Sequence, residues 1–124
     1  MKPGDTFLFN FPANKKHLMV VVCSTMGIET TESTIHCVYL TTLRGKGYED
    51  IACILKPGDH PFIDHESYIE YSKLLHIRKS YLNQCLARGE AKKQASVPKL
   101  VLQRIMQGAS HSTAIRDADK KFFL

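Results

Sequence analysis

The sequence lacks any hydrophobic run long enough to cross a membrane. Its longest purely apolar segment covers residues 18–23, whereas a membrane-spanning helix needs about 20 apolar residues. The first residues, 1–4, do not lead into an apolar region of the kind that secretion signals contain. We therefore expect a cytoplasmic protein that makes no contact with a membrane.

Zinc-binding and cofactor-binding motifs are lacking too. The four cysteines have spacings that match no zinc pattern, and Cys23, Cys37 and Cys53 lie within apolar, strand-like runs. We expect these thiols to be reduced in the cytoplasm and to behave as small buried hydrophobic residues. Neither a glycine-rich dinucleotide fingerprint nor a P-loop occurs, so we expect no cofactor.

Acidic residues are in the minority, with 12 Asp and Glu against 17 Lys and Arg and a net charge of +5. This surplus favours an anionic partner, and nucleic acid is the first candidate. Part of the positive charge lies in residues 88–99 and 120–121, which can also be solvated helix and loop surfaces. The length of 124 residues predicts a single domain that folds without a disulfide or a metal.

Six short segments have the hydrophobic pattern of β-strands. Phenylalanines alternate with other residues over residues 6–11, and residues 17–23 are apolar almost throughout, which is typical of a central strand buried on both faces. We expect loops over residues 24–34 and 90–95. The predicted strands are residues 6–11, 17–23, 35–42, 51–55, 68–71 and 74–77.

Two helices are predicted after the strands. Ser80 can cap a helix over residues 81–88 that ends at Gly89, and Ser96 followed by Val97-Pro98 indicates a second helix that ends near Gly108. We expect the terminal residues 122–124 to dock on the body of the protein or on a second chain.

This order of elements predicts a mainly β, α+β protein with one domain over residues 1–124. Short, amphipathic strands separated by turns suit a small, strongly bent, SH3-like barrel, which we expect over residues 1–79. The helical C-terminal part is expected over residues 80–124.

Residues 57–71 concentrate more chemically able side chains than any other part of the sequence. Pro57-Gly58 predicts a turn, and Pro61 favours an extended conformation at His60. His60 and His65, with carboxylates and tyrosines nearby, are what a site for proton transfer or metal binding would need. An ordinary polar surface loop can contain the same residues, so both interpretations stay open.

The order of parts resembles the MazF/PemK (Kid-like) toxin family, which are ribosome-independent endoribonucleases with an SH3-like barrel. Gly4-Asp5 before an aromatic strand is similar to the family's first strand. The apolar run that ends at Ser24 is similar to its second strand, and residues 38–42, which end in Thr41-Thr42, are similar to its third. The end of the barrel and the final helix resemble residues 67–77 and the segment from Val97 onward.

The resemblance implies a toxin that cleaves single-stranded RNA without a metal, forms a homodimer and is neutralised by an antitoxin protein. It also implies that Thr41 and Thr42 touch the RNA backbone. The family has a catalytic Arg at the start of its second strand, and this chain has Lys15-Lys16-His17 there. A non-catalytic SH3-like module that binds nucleic acid or a protein partner is therefore the alternative.

Metal-independent RNA cleavage needs a base for the 2′-hydroxyl, an acid for the leaving 5′-oxygen and a cation for the phosphorane charge. His60 and His65 are the candidate base and acid, because unperturbed histidine titrates near neutral pH. Lys16, Arg44 or Arg78 can supply the cation, and arginine matches phosphate better because its guanidinium is planar. The predicted catalytic residues are Thr41, His60, His65 and Arg78.

The segment from Arg44 to Tyr48 is the strongest candidate for nucleic-acid contact, because it combines two cations, two glycines and an aromatic ring. A solvated hairpin tip is the alternative interpretation. The predicted nucleic-acid-binding residues are Lys15, Lys16, Thr42, Arg44, Lys46 and Tyr48. A metal site built from His60 and His65 with Asp59, Asp64 or Glu66 is a further possibility, although this spacing fits no known signature.

Overall fold

The computed structural model describes residues 1–12, 14–27 and 32–124. Within these residues, seven strands and two α-helices are followed by a C-terminal 3₁₀ helix. The strands and helices are β1 (Thr6–Asn10), β2 (Lys16–Met26), β3 (Ser33–Thr42), β4 (Ile54–Leu55), β5 (Ser67–Ile69), β6 (Leu75–Arg78), α1 (Lys79–Arg88), β7 (Ala91–Gln94), α2 (Lys99–Gly108) and the C-terminal 3₁₀ helix (Asp117–Phe123). No helix in these residues is long and apolar enough to cross a membrane.

The strands form one antiparallel sheet in the order β4-β5-β3-β2-β1-β7. Strand β3 is long enough to pair with two neighbours in succession, because residues 34–37 pair with β6 and residues 40–42 pair with β5. The order begins at β4 and finishes at β7, so the described strands do not close the sheet on itself. The predicted mainly β, α+β class is confirmed.

The hydrophobic core lies on both faces of the sheet. Strand β2 contributes alternate side chains to each face, with Val20 and Val22 packed in one cluster and Met19 and Val21 in the other. Helix α2 and the 3₁₀ helix cover the first cluster, and α1 covers the second. The prediction that β2 is buried on both faces is therefore confirmed. The terminal segment docks through Phe123, which is buried.

Two predicted loops contain strand residues. Strand β2 continues to Met26 and β3 begins at Ser33, since the β-branched Thr25 and Thr34 pair across the two strands. Residues 28–31 of this predicted loop lie outside the described residues. The predicted loop over residues 90–95 contains β7, an edge strand whose exposed lysines hide its strand character from the hydrophobic pattern.

The predicted strand over residues 51–55 is a strand only at Ile54–Leu55. The backbone N–H of Ala52 donates to the Asp50 carboxylate at 3.0 Å, and this local turn keeps the preceding residues out of the ladder. The predicted cap at Ser80 is also wrong, because α1 begins at Lys79 and the Ser80 hydroxyl donates to Glu32 instead. Gly89 ends this helix in a left-handed conformation, as predicted.

Helix α2 ends at Gly108 as predicted, but it begins later than expected, at Lys99. Pro98 occupies the cap position and provides no side-chain cap. The Ser96 hydroxyl donates to the Asp5 carboxylate at 3.0 Å, so it joins the start of this helix to the first turn of the chain.

Candidate nucleic-acid interface

Strands β2 and β3 separate at one end of the sheet. Their pairing runs from Met26 opposite Ser33 to Met19 opposite Tyr39. Past this point each strand follows its outer neighbour, because residues 16–18 pair with β1 and residues 40–42 pair with β5. Because neighbouring strands are twisted relative to one another, two strands that stop pairing and follow different neighbours diverge and leave a gap between them.

A groove, which we call the split groove, lies between the separated strand ends and has a volume of about 290 Å³. The start of β2, the end of β3 and the loop over residues 62–64 contribute its walls. Its lining residues are Lys15, Lys16, His17, Leu18, Leu40, Thr41, Thr42, Arg44, Phe62, Ile63, Asp64 and Ser67. Five of the predicted site residues therefore meet in one place: Lys15, Lys16, Thr41, Thr42 and Arg44.

The split groove carries an excess of positive charge. Lys15, Lys16 and Arg44 are exposed, and among the described residues none of the three forms an ion pair within 4.0 Å. Asp64 is the carboxylate of the lining, and it lies 3.8 Å from the imidazole of His65. Cations without a neighbouring counter-ion keep their charge available to an incoming anion.

His17 also lines the groove, although it is not among the site residues predicted from the sequence. Its ring packs edge-on against Tyr39, with the ring centroids 5.0 Å apart, and its Nδ1 lies 3.0 Å from the Lys15 carbonyl oxygen. A carbonyl can only accept, so Nδ1 carries the hydrogen and the Nε2 of the neutral ring has the lone pair. One feature of the sequence could have identified His17 as a site residue. It directly follows Lys15-Lys16, where the resembling family has a catalytic Arg.

His60 is buried and serves the fold. Its Nε2 donates to the Ala95 carbonyl at 2.6 Å, and its Nδ1 accepts the backbone N–H of Phe62 at 3.0 Å. Both ring nitrogens are therefore engaged, and only 2% of the residue is exposed. The predicted proton transfer by His60 would need a ring nitrogen that can reach a substrate, and this arrangement provides none.

The other predicted catalytic residues lie apart from one another. Thr41 lines the split groove, but His65 is outside its lining, and the His65 side chain is 71% exposed beside Asp64. Arg78, at the end of β6, lines a separate pocket of about 460 Å³ together with Tyr81. The structure does not bring Thr41, His60, His65 and Arg78 together into one site.

The loop that follows β3 is stabilised by the carboxylate of Glu49, a residue of the same loop. The backbone N–H groups of Arg44 and Lys46 donate to the two oxygens of Glu49, each at 2.8 Å. These hydrogen bonds, with that of the Gly45 backbone, hold the pKa of Glu49 below its usual value. Lys46 and Tyr48 project from the loop and are exposed, but they do not line the groove.

Among residues 1–12, 14–27 and 32–124, no group of three or more His, Cys, Asp or Glu side chains is arranged to hold a metal ion. Asp59, one of the residues considered for such a site, accepts the backbone N–H of Lys56 at 2.8 Å and pairs with Arg104 at 3.4 Å. It therefore closes the turn after β4 and ties that turn to α2.

Comparisons with known proteins give no relative. No family model matches the sequence, and neither the curated proteins nor the solved structures contain a significant match. The likeness to MazF/PemK toxins stays a resemblance.

Proposed function

We propose that this chain binds single-stranded RNA in the split groove. One observation carries the proposal: Lys15, Lys16 and Arg44, which form no ion pair with any of the described residues, converge on a cleft between two strand ends. Phosphate contacts from lysine and arginine supply most of the sequence-independent affinity of proteins for nucleic acids. The net charge of +5 adds long-range attraction for a polyanion.

A single strand suits this groove better than a duplex. A cleft of about 290 Å³ is too small to enclose a double helix, whereas unpaired nucleotides can enter it. Phe62 is 41% exposed at the groove, and Tyr48 is 81% exposed on the neighbouring loop. Exposed rings of this kind stack on unpaired bases, and the hydroxyls of Thr41 and Thr42 can bond to phosphate or to a 2′-hydroxyl.

We also propose that the sheet is a bent, incompletely closed barrel of the SH3-like type. Two features support this curvature. Strand β3 changes partner from β6 to β5 along its length, and the register of β2 against β3 shifts between Val21 and Cys23. A register shift of this kind bends a strand and increases its twist.

The second candidate function is RNA cleavage by a toxin-like, metal-independent endoribonuclease that an antitoxin neutralises. The position of His17 in the groove favours it, because the lone pair on Nε2 can accept the proton of a 2′-hydroxyl. The 2′-oxygen would then attack phosphorus and the bond to the 5′-oxygen would break, while Arg44 stabilises the added charge. A group of the groove that carries a proton, such as Lys16, would return one to the leaving oxygen.

The binding proposal is tested by fluorescence anisotropy with a labelled, mixed-sequence single-stranded RNA. The variant Lys16→Ala/Arg44→Ala should bind about tenfold or more weakly, since each lost phosphate contact removes counter-ion release. Arg88→Ala/Lys92→Ala is the matched control, because it removes one arginine and one lysine that do not line the groove. Equal losses in both variants would show nonspecific attraction to the net charge and would contradict binding in the groove.

A further inference from the structure

The loop between β3 and Glu49 has the geometry of an anion-binding cradle. Gly45 and Gly47 have φ values of 70° and 83°, and the residues on either side of Gly45, Arg44 and Lys46, direct their N–H groups to the same carboxylate. Left-handed residues that alternate with right-handed or extended ones are the usual way in which consecutive backbone N–H groups form a concave site for anions. We call the N–H groups of Arg44, Gly45 and Lys46 the amide cradle.

The amide cradle is filled by a side chain of the same loop. Each carboxylate oxygen of Glu49 accepts one N–H, from Arg44 and from Lys46, and both distances are 2.8 Å. These are the lengths of strong, charge-assisted hydrogen bonds. The Gly45 backbone adds a third interaction, and the pKa of Glu49 is lowered, so the group is an anion at neutral pH.

A carboxylate in such a place presents the same chemistry as a phosphate. Both offer two oxygens of one anionic group to converging N–H donors. The cradle also adjoins the split groove, because Arg44 supplies its backbone N–H to Glu49 and is itself a lining residue of the groove. The loop residues 44–48 are exposed, so solvent and ligands can reach them.

We propose that the amide cradle is a phosphate subsite that Glu49 occupies in the free protein, and that a phosphate group takes this place when Glu49 swings out. This proposal rests on the proposed function, because the incoming group is a phosphate of the RNA strand that is held in the split groove. The exchange replaces one anionic group in the cradle by another, so the positive charges of Arg44 and Lys46 still have a negative charge beside them.

The covalent attachment of Glu49 beside the cradle explains why the cradle can prefer a nucleic-acid strand to free phosphate. Glu49 is covalently attached close to the N–H groups, so it competes at a high effective concentration with free phosphate. A strand already bound in the groove gains the same advantage, because its next phosphate is then attached nearby as well. Glu49 thus excludes small anions and yields to a polyanion.

The test uses the ¹⁵N-labelled full chain titrated with inorganic phosphate. In Glu49→Ala, the amide signals of Arg44, Gly45 and Lys46 should shift and saturate with an affinity about tenfold higher than in the parent, because the competing carboxylate is gone. Glu66→Ala removes an exposed carboxylate outside the cradle, and it should behave like the parent. Equal gains in Glu49→Ala and Glu66→Ala would overturn the proposal, since the effect would then come from net charge.

The fold of the loop is checked in the same spectra. If the amide signals of Arg44, Gly45 and Lys46 in Glu49→Ala stay dispersed and their shifts saturate with phosphate, the cradle keeps its structure without Glu49. If they lose their dispersion and do not respond to phosphate, Glu49 is only a brace of the loop and the proposal is overturned.

A parallel titration with single-stranded RNA separates this proposal from the proposed function. Tighter RNA binding by Glu49→Ala than by the parent and by Glu66→Ala supports both proposals. Saturable phosphate shifts in Glu49→Ala, with no RNA binding by any of the proteins, would support the phosphate subsite and contradict the RNA function. RNA binding that is unchanged in Glu49→Ala, with no phosphate shifts, would overturn the subsite alone.

Discussion

The Nδ1 atoms of His36 and His76 lie 2.7 Å apart, in a hydrogen bond between two histidines that face each other on β3 and β6. The His36 ring also stacks on Phe122, with the centroids 4.0 Å apart, and His76 Nε2 lies 3.7 Å from the buried carboxylate of Asp119. The pair therefore fastens the C-terminal 3₁₀ helix to the sheet. Such a bond holds one hydrogen, so it is broken when both rings are protonated.

The stability of the protein should fall as the pH decreases from about 6.5 to about 4. Burial, then the neighbouring His76 and Lys121, lower the pKa of His36 to about 4, while Asp119 opposes this shift. The unfolded chain takes up a proton near pH 6.5, before the folded protein does. His36 thus contributes stability that is complete above pH 6.5 and is lost as the pH falls to about 4, a loss of about 1 to 3 kcal/mol.

Chemical denaturation of the parent and of His36→Gln between pH 7.5 and pH 4 checks this prediction. The variant lacks the titrating ring, so its free energy of unfolding should depend less steeply on pH than that of the parent between pH 6.5 and pH 4. Parallel curves for the two proteins would show that the His36 ring makes no such contribution.

His60→Ala should destabilise the fold, whereas His65→Ala should not. His60 is 2% exposed and both its ring nitrogens form hydrogen bonds, so its removal leaves a cavity and the Ala95 carbonyl loses a donor. The expected loss is about 2 to 4 kcal/mol, against about 0.5 kcal/mol or less for the exposed His65. Denaturant midpoints of the two variants measure this difference, and equal midpoints would contradict the structural role of His60.

Gly108→Ala should also destabilise the fold, because a Cβ at this position would clash with the Tyr71 hydroxyl oxygen and would lie 2.9 Å from the Cys53 Cβ. That hydroxyl donates to the Ile105 carbonyl at 2.6 Å and cannot move without losing the bond. We expect a loss of about 2 to 4 kcal/mol. In Tyr71→Phe, which lacks the hydroxyl, the same glycine substitution should cost less, and strictly additive losses in this double-mutant cycle would contradict the clash.

Much of the fold could be predicted from the sequence, because it follows from strong local patterns. The unbroken apolar run of β2, the glycine that ends α1 and the apolar stripe of α2 each depend on nearby residues. Strand β7 could not be predicted in this way. Its lysines are polar, and only its pairing with β1 makes it a strand.

The candidate site was predicted in part for a similar reason. Lys15, Lys16, Thr41, Thr42 and Arg44 stand at strand ends and in the adjoining loops, and the resemblance directed attention to several of these positions. The structural role of His60 could not be predicted, because a sequence shows which groups can transfer protons but not whether long-range hydrogen bonds occupy them. Its acceptor, the carbonyl of Ala95, is 35 residues away in the chain.

If the chain cleaves RNA, His17 should be required for cleavage and not for binding. His17→Gln should leave the RNA affinity within about twofold of the parent value, because it removes none of the Lys and Arg side chains of the groove, but should lower the cleavage rate by about a hundredfold or more. The assay is gel analysis of a mixed RNA with EDTA present. His65→Ala is the control and should cut like the parent, and full activity in His17→Gln would exclude His17 from the mechanism.

The salt dependence of RNA binding tests the central claim most directly. If Lys15, Lys16 and Arg44 each contact a phosphate, the slope of log affinity against log salt should become shallower by about 2 in the variant that has alanine at all three positions. The control Arg88→Ala/Lys92→Ala/Lys99→Ala removes the same charge outside the groove and should keep the slope of the parent. Equal slopes for the parent and the groove variant would contradict RNA binding in the split groove.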